Sequence, residues 1–476
     1  MAANYLHGVE TIEIETGPRP VKAVKSAVIG LIGTAPCGPV NQPTLCLSES
    51  DAAQFGPGLA NFTIPQALKA IYDHGAGTVV VINVLNPAVH KSTIPSETVK
   101  VDDNGQIQLK HGAVQTMNIG RSTNAGNAYI KGTDYTIDML TGKITCMGTN
   151  LKPGVQAYVN YTYADPTKVT AADIVGAVNT AGDRTGMKAV TGHLEPVWFL
   201  REDPDCAGLL YAKTRSPLSL SLRQKRWEPL PTLMRPSARL SSRFWQGAVR
   251  RGRLTSIPVP IARVCAIRTF KVYDSATNSE VLEPLSSRAA GLRAKVDLEK
   301  GFWWSNSNQE IQGITGVERS LSAMIDDPQT EVNQLNENGI TTIFNSYGSG
   351  LRLWGNRTAA WPTVTHMRNF ENVRRTGDVI NESIRYFSQQ YMDMPINQAL
   401  IDALTESVNT WGRKLIADGA LLGFECWYDP ARNEQTELAA GHLLLSYKFT
   451  PPPPLERLTF ETEITSEYLV SLESNR

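Results

Sequence analysis

The chain lacks any long apolar stretch. A bilayer span needs ~20 consecutive apolar residues, whereas the longest apolar runs here, residues 27–32 and 78–84, have the length of β-strands. The first residues also lack a basic region followed by an apolar core, which is the pattern of a secretory signal. The sequence therefore predicts a chain that is made in the cytosol and does not insert into a membrane.

Cysteine is scarce and scattered. The six cysteines form no C-x-x-C pair, and cysteine and histidine never cluster at the spacing of zinc ligands. We therefore expect neither a disulfide framework nor a structural metal site. Free, mostly buried thiols in a reducing compartment are the expected state of these side chains.

The motifs of nucleotide-binding and catalytic sites are also missing. Residues 30–33 follow a predicted strand but lack the G-x-G-x-x-G spacing, and a proline-containing loop follows where helix amides would bind phosphate. The chain has no G-x-x-x-x-G-K-[ST] loop, and residues 348–350 lack the spacing of a nucleophile elbow. The seven histidines stand alone. The sequence thus predicts no catalytic residues, no cofactor and a protein that is not an enzyme.

What the chain has in excess is positive charge in one segment. The formal net charge of the whole chain is zero, yet residues 206–268 contain eleven arginines, two lysines and one acidic residue, a net charge of +12. Leucine, serine and arginine supply 27 of these 63 residues. These three amino acids have six codons each, so translation in a wrong reading frame would enrich all three together.

Three interpretations of this basic segment stay open. A local frameshift or sequence error is favoured, because proline is frequent in residues 201–270 and neither helical nor strand periodicity persists. Clustered arginines could instead neutralise nucleic-acid phosphates, although aromatic residues are few and no binding motif is present. An ordinary basic surface is the third interpretation.

Elsewhere, periodicity predicts an α+β / α/β multidomain chain. Residues 1–25 form an N-terminal arm with an alternating apolar pattern, and residues 26–97 begin an α/β domain. In that domain a strand at 27–33, an amphipathic helix at 64–73 and a strand at 78–84 make a β-α-β unit.

Short alternating segments separated by turns then predict an all-β insertion domain at residues 98–168, with a hairpin around the turn at 140–142. The α/β domain continues over 169–330 and includes the basic segment 201–270. A strand begins at Trp198, and its pattern is not expected to continue beyond Arg201.

Residues 331–450 are predicted to form a C-terminal α/β domain. Paired strands at 339–344 and 351–354 precede two helices and two further strands. The two helices are expected at 364–391 and 397–418, and the two strands at 421–428 and 438–449.

A C-terminal arm, residues 451–476, follows a run of four prolines. Polyproline is stiff and holds the next segment away from its own domain. Beyond it Leu458, Phe460 and Ile464 alternate with polar residues, as in a strand with one apolar face. This strand could pair with a neighbouring chain by strand addition, or fold back on its own domain as an edge strand; the pattern favours both equally.

Arginines recur with acidic residues along the first C-terminal helix. Arg368, Arg374, Arg375 and Arg385 alternate with acidic side chains at the spacing of helical ion pairs. The simpler interpretation is a solvated helix face, and the alternative is a contact with an acidic partner surface.

Several blocks, in this order, resemble the tail sheath proteins of Mu-like and P2-like contractile phage tails. They cover the chain except residues 201–270, where that family has a further strand and helix and this sequence departs from the pattern. The blocks are residues 26–39, 78–84, 134–138, 142–145, 354–358, 370–376 and 397–423.

The resemblance implies a structural virion protein. Such subunits stack as rings around a tail tube and contract without nucleotide, which drives the tube through the host envelope for genome ejection. The implied partners are further copies of the chain, the tail tube protein, and the baseplate and tail terminator proteins, with assembly in the host cytoplasm. The same properties would suit the sheath of a tailocin-like injection particle, and a nucleic-acid-binding virion protein using residues 206–268 is the weaker alternative.

The resemblance also assigns roles to residues. The arm residues Ile12, Ile14, Leu458, Phe460 and Ile464 would form sheet between subunits. The arginine-bearing helix would contact the tube, and the β insertion would lie on the outside.

Overall fold

We describe the fold from a computed structural model of the chain. The described residues are 21–23, 26–75, 77–121, 128–147, 150–190, 198–203, 206–212, 263–266, 269–274, 278–345, 348, 350–358 and 360–466. Most of the basic segment, residues 213–262, therefore lies outside the described residues, and its nucleic-acid interpretation rests on composition alone.

Strands and helices alternate through the described residues. The strands are β1 (Val28–Gly33), β2 (Thr44–Cys46), β3 (Thr78–Asn83), β4 (Lys91–Lys100), β5 (Gln106–Gln108), β6 (Val114–Gly120), β7 (Tyr135–Asp138), β8 (Lys143–Cys146), β9 (Gln156–Ala164), β10 (Trp198–Asp203), β11 (Cys206–Ala212), β12 (Arg263–Ala266), β13 (Thr269–Asp274), β14 (Ser279–Pro284), β15 (Gln309–Glu310), β16 (Gly316–Val317), β17 (Ile340–Phe344), β18 (Arg352–Trp354), β19 (Gly423–Tyr428) and β20 (Leu445–Thr450). The α-helices are α1 (Glu49–Ala52), α2 (Ile64–Tyr72), α3 (Ala171–Val175), α4 (Met187–Val190), α5 (Leu285–Glu299), α6 (Glu331–Glu337), α7 (Glu371–Ser388), α8 (Gln398–Ala417) and α9 (Gln435–Ala439).

A mixed sheet of nine strands organises the first part of the chain. Its order is β15-β18-β17-β12-β11-β10-β1-β3-β2, and β1 pairs in parallel with both β3 and β10. The β-branched run of β3 is buried on both faces, as its lack of alternation predicts. The predicted β-α-β unit is confirmed, because α2 lies between β1 and β3 along the chain and packs its apolar side chains into their core.

The strand that begins at Trp198 extends further than the sequence pattern predicts. It runs to Asp203, β11 follows as its antiparallel neighbour, and β12 then pairs with β17. The expectation that the strand stops at Arg201 is therefore wrong. Neighbouring strands supply backbone partners that local periodicity does not show.

The segment predicted as an all-β insertion consists of two three-stranded sheets over one apolar cluster. Their orders are β4-β9-β6 and β5-β8-β7. The hairpin of β7 and β8 is confirmed, with Gly142 at φ 72° in its turn. The first strand begins at Lys91, before the expected boundary at 98, because its antiparallel pairing with β9 starts there, where Lys91 lies opposite Ala164.

Helix α5 is buried along most of its length. Twelve of its fifteen residues are buried, and they include the charged side chains of Arg288, Arg293 and Asp297. Its apolar residues join α2 and the large sheet in one core cluster. A helix buried on all sides shows no apolar stripe, so its charged residues must find partners inside the protein.

The C-terminal part packs α7 and α8 against the two-stranded antiparallel sheet of β19 and β20. Helix α8 agrees with its predicted bounds, with Asn397 as its N-cap. Helix α7 begins at Glu371 rather than 364, because a short 3-10 turn ends at the extended residue Phe370. The strand predicted at 438–449 is also corrected, since helix α9 occupies its first residues and β20 begins at Leu445.

Candidate assembly interface

The C-terminal arm leaves its domain as an extended chain with exposed apolar side chains. Residues 451–466 have no regular secondary structure. The exposed fractions of Leu458, Phe460 and Ile464 are 62%, 80% and 103%, and Leu455 is also exposed. Burying a large apolar side chain stabilises a protein by about 1.5–3 kcal/mol relative to leaving it in water. The arm therefore presents a strip that is stabilised once another surface covers it.

The first part of the arm is held against the C-terminal domain. The Pro452 carbonyl accepts a hydrogen bond of 3.4 Å from the Asn372 side chain, which also donates to the Trp303 carbonyl at 3.1 Å. Four residues later, the carboxylate of Glu456 accepts two hydrogen bonds from the guanidinium of Arg357, one of them 2.8 Å long from Nε. These contacts tie the arm at two points before Leu458, Phe460 and Ile464.

The sheet of β19 and β20 offers a place for an added strand. Each strand has the other as its strand partner in the part of the chain that the structure describes, and their outer edges face away from that pairing. Backbone N–H and C=O groups along such an edge are a template for a further strand. The sheet also carries stacked rings of Phe424, Tyr447 and Phe449, whose neighbouring centroids lie 6.2 Å apart.

The N-terminal arm enters the fold beside the same helix, α7. Val21 is buried in the apolar cluster of α7 and α8. The Ser26 carbonyl accepts a hydrogen bond of 2.6 Å from Arg375. The two predicted contact residues of this arm, Ile12 and Ile14, lie outside the described residues, so their role stays a prediction.

The structure corrects the prediction for Arg375. Its side chain is 2% exposed and forms an ion pair with Asp297 of α5. Arg293 binds the same Asp297 at 2.7 Å and also binds Glu371 at 3.3 Å. Two cations and two anions therefore neutralise each other inside the protein, and Arg375 is not available for a surface contact.

Burial shifts the titration of this group. It lowers the pKa of Arg375 well below its usual value, and the charge of Arg293 lowers it further while Asp378 opposes the shift. Burial also raises the pKa of Glu371, while the neighbouring Arg293 opposes that shift. The network holds α5 and α7 together, and with them the large sheet and the C-terminal helices.

The other three arginines differ in their surroundings. Arg374 is partly buried and pairs with Asp378 at 2.7 Å, as the ion-pair spacing predicts. Arg385 is 54% exposed beside Glu382 at 3.4 Å. Arg368 is exposed but lies in the 3-10 turn before α7 rather than on the helix. These three side chains do not form one helical face, and a tube contact by any of them stays a prediction.

Sequence reasoning missed the residues that hold the structure together. Arg288 of α5 is fully buried and binds Asp73 at 2.9 Å and Glu283 at 3.0 Å. Arg357, which lies within the block 354–358, binds Glu456 of the arm, and no sequence pattern indicated this contact. The charged residues within a helix that lacks an apolar stripe were the available sign of the buried pairs on α5.

The described residues show no helix with the length and apolarity to cross a membrane. Within the same residues, no three or more His, Cys, Asp or Glu side chains are grouped to hold a metal ion.

The chain matches two family models and is similar to characterised phage proteins. Residues 263–359 match the family model for the phage tail sheath protein central domain, and residues 363–465 match that for the phage tail sheath C-terminal domain. The tail sheath protein of Burkholderia phage BcepMu is 61% identical over 99% of both chains. The tail sheath protein of Escherichia phage P2 is 34% identical over 43% of this chain and 50% of its own length.

Solved structures share the fold at low sequence identity. The contracted sheath complex of the extracellular contractile injection system PVC is 13% identical with a TM-score of 0.55, covering 98% of this chain and 99% of that chain. The contracted helical sheath of the anti-feeding prophage is 15% identical with a TM-score of 0.55, covering 97% and 99%.

Proposed function

The chain belongs to the phage tail sheath protein family, and from this membership we propose how its ends join subunits into a sheath. The resemblance drawn from the sequence blocks is confirmed. The protein is a structural component of a phage tail, and its place is in the virion.

We propose that its subunits polymerise around the tail tube and contract without nucleotide. The described domains are well packed and joined by buried ion pairs, so a change of lattice would move them as rigid bodies and rearrange the contacts between subunits. Free energy would be stored in an extended lattice on the tube and released when the baseplate triggers contraction.

The observation that carries the proposal is the exposed apolar strip of the C-terminal arm. In our proposal Leu458, Phe460 and Ile464 turn toward the core of a neighbouring subunit while the arm adds a strand to that subunit's sheet of β19 and β20. Side chains alternate between the two faces of a strand, so the polar residues between them would face water. Ile12 and Ile14 of the N-terminal arm would supply a further strand.

The remaining partners follow from family membership. We propose that the exposed Arg368 and Arg385, with Arg374, face an acidic surface of the tail tube, and that the ends of the polymer meet the baseplate and the tail terminator. Assembly would take place in the host cytoplasm. The sheath of a tailocin-like particle is the second candidate, because the PVC and anti-feeding prophage sheaths share the fold; neighbouring genes for a capsid and a terminase would favour a phage.

Electron microscopy of the purified protein tests the proposal. The full chain is expected to form striated tubes, and deletion of residues 451–476 is expected to leave soluble subunits, because the strip that joins neighbours is removed. Circular dichroism of the shortened chain controls for its folding. Long tubes from the shortened chain would contradict strand exchange by this arm.

A further inference from the structure

Three residues of the domain hold the guanidinium of Arg357 in place, apart from its contact with the arm. Its guanidinium lies 4.2 Å from the ring centroid of Trp361 and 3.9 Å from that of Phe370. It also donates a hydrogen bond of 2.6 Å to the Asn369 side chain. A guanidinium stacked on aromatic rings and fixed by a further hydrogen bond loses little freedom when it binds a carboxylate. Arg357 is therefore held in a position in which it can bind a carboxylate.

Glu456 of the arm supplies the carboxylate that Arg357 binds. Both of its oxygens accept hydrogen bonds from Arg357, which is the two-pronged geometry that matches a guanidinium to a carboxylate. The side chain of Arg357 is 15% exposed and that of Glu456 is 42% exposed. The less exposed partner thus belongs to the domain, and the arm supplies the more exposed carboxylate.

Glu456 lies between the proline run and the apolar residues of the arm that are proposed to reach a neighbour. The four prolines end at Pro454, and Leu458, the first of the three alternating apolar residues, lies two residues after Glu456. The prolines stiffen the chain between its anchors at Pro452 and Glu456. The two contacts therefore hold both ends of this stiff segment against the domain and set the direction in which the chain leaves it.

We infer that Arg357 is a positioning residue for strand exchange: its ion pair with Glu456 aims the arm and makes Arg457 the pivot beyond which the strand reaches a neighbour. The part that concerns strand exchange rests on the proposed function. An arm that is already directed loses less conformational entropy when it binds, so the same apolar contacts give tighter association.

The rate of trypsin cleavage after Arg457 measures whether the ion pair is formed in the unassembled subunit. Arg457 is exposed and directly follows Glu456, and no lysine or arginine lies between it and the last residue, Arg476. Cleavage after Arg457 therefore releases one fragment, residues 458–476, which mass spectrometry can follow over time. A protease needs several residues around the cut in an extended, accessible form, so the ion pair slows this cleavage.

The test compares two variants that each remove one carboxylate from the arm. Glu456→Gln is expected to speed release of the fragment about threefold to tenfold, the range of a partly buried charge-assisted pair. Glu461→Gln, which changes an exposed carboxylate further along the arm, is the matched control and is expected to cleave at the rate of the unchanged chain. Equal rates for all three proteins would overturn the inference.

Arg357 itself is tested by combining substitutions. If Arg357→Lys and Glu456→Gln act through one contact, the doubly substituted chain releases the fragment no faster than the faster single variant. Additive acceleration would show that the two residues act separately and would overturn the pairing. Thermal unfolding of each variant checks that faster cleavage does not come from a destabilised domain.

Electron microscopy of the same variants then tests the positioning role. Glu456→Gln is expected to give fewer and shorter tubes than Glu461→Gln. Faster cleavage with tubes of normal length would overturn the positioning role while leaving strand exchange intact. Strand exchange itself fails only if the chain without residues 451–476 still forms tubes, so the two failures are distinguishable.

Discussion

Arg375 shows how the setting of one residue decides its role. Its spacing from Asp378 and from the other arginines indicated a surface side chain, yet its ion pair is with Asp297, 78 residues earlier in the chain. Helical periodicity identifies residues on the same face but does not show which other element covers that face. No local pattern could predict this contact, because the partner belongs to α5.

Replacing Arg375 by Met is expected to lower the free energy of unfolding by about 3–5 kcal/mol, because the buried Asp297 and the Ser26 carbonyl lose a partner. Urea unfolding followed by circular dichroism measures this change. Arg374→Met is the matched control next to it in the helix, and a loss of about 1 kcal/mol or less is expected there. Equal losses would contradict the structural role of the buried pair.

His74 makes stability depend on pH. Burial lowers its pKa from 6.5 to about 4, and the positive charges of Arg288 and Lys295 act in the same direction, while the Ala70 carbonyl and Asp73 oppose the shift. The folded chain therefore disfavours the proton that the unfolded chain accepts below pH 6.5. The stability that the neutral ring contributes is complete above pH 6.5 and is lost as the pH falls toward 4.

The expected loss over this range is at most about 3–4 kcal/mol from this one group, since each pKa unit corresponds to about 1.4 kcal/mol. Urea unfolding at several pH values measures it. His74→Gln should remove this part of the pH dependence, whereas His442→Gln, at a side chain that is 70% exposed, should retain it. Parallel pH profiles for the unchanged chain and His74→Gln would contradict the assignment.

At the scale of elements, sequence patterns predict best where local chemistry determines the bounds. The unit β1-α2-β3, the hairpin of β7 and β8 and helix α8 follow from apolar runs, glycine turns and an N-cap. The end of β10 and the start of α7 were predicted wrongly, because both limits depend on partners elsewhere in the fold. The partners are β1 and β11 for the strand, and for the helix the β-bridge between Arg357 and Phe370.

The packing of α8 on β19 depends on a glycine. A Cβ atom at Gly412 would lie 2.2 Å from the ring of Phe424, which is far too close for a carbon contact. Gly412→Ala is expected to lower the free energy of unfolding by about 1–3 kcal/mol, although alanine favours a helix. Gly423→Ala is the control, because no atom lies within 4 Å of its added Cβ. Thermal unfolding compares the two, and a more stable Gly412→Ala would contradict this packing.

At the scale of the whole molecule, two buried ion-pair groups join α5 to strand β14 and to helix α7. Both arms start beside α7: Arg375 binds the carbonyl of Ser26, two residues before β1, and Asn372 binds the carbonyl of Pro452. The sequence pattern predicted the apolar alternation of the C-terminal arm. It could not predict the contacts of the arm's first residues, because Arg357 is 99 residues from Glu456.

The central claim is that the apolar strip of the C-terminal arm joins subunits, and one comparison by electron microscopy tests it most directly. The chain carrying Leu458→Ser, Phe460→Ser and Ile464→Ser is compared with one carrying Thr459→Ser, Glu461→Gln and Glu463→Gln on the opposite face of the same strand. We predict striated tubes from the second protein and only soluble subunits from the first. Tubes of equal length and number from both proteins would contradict the account.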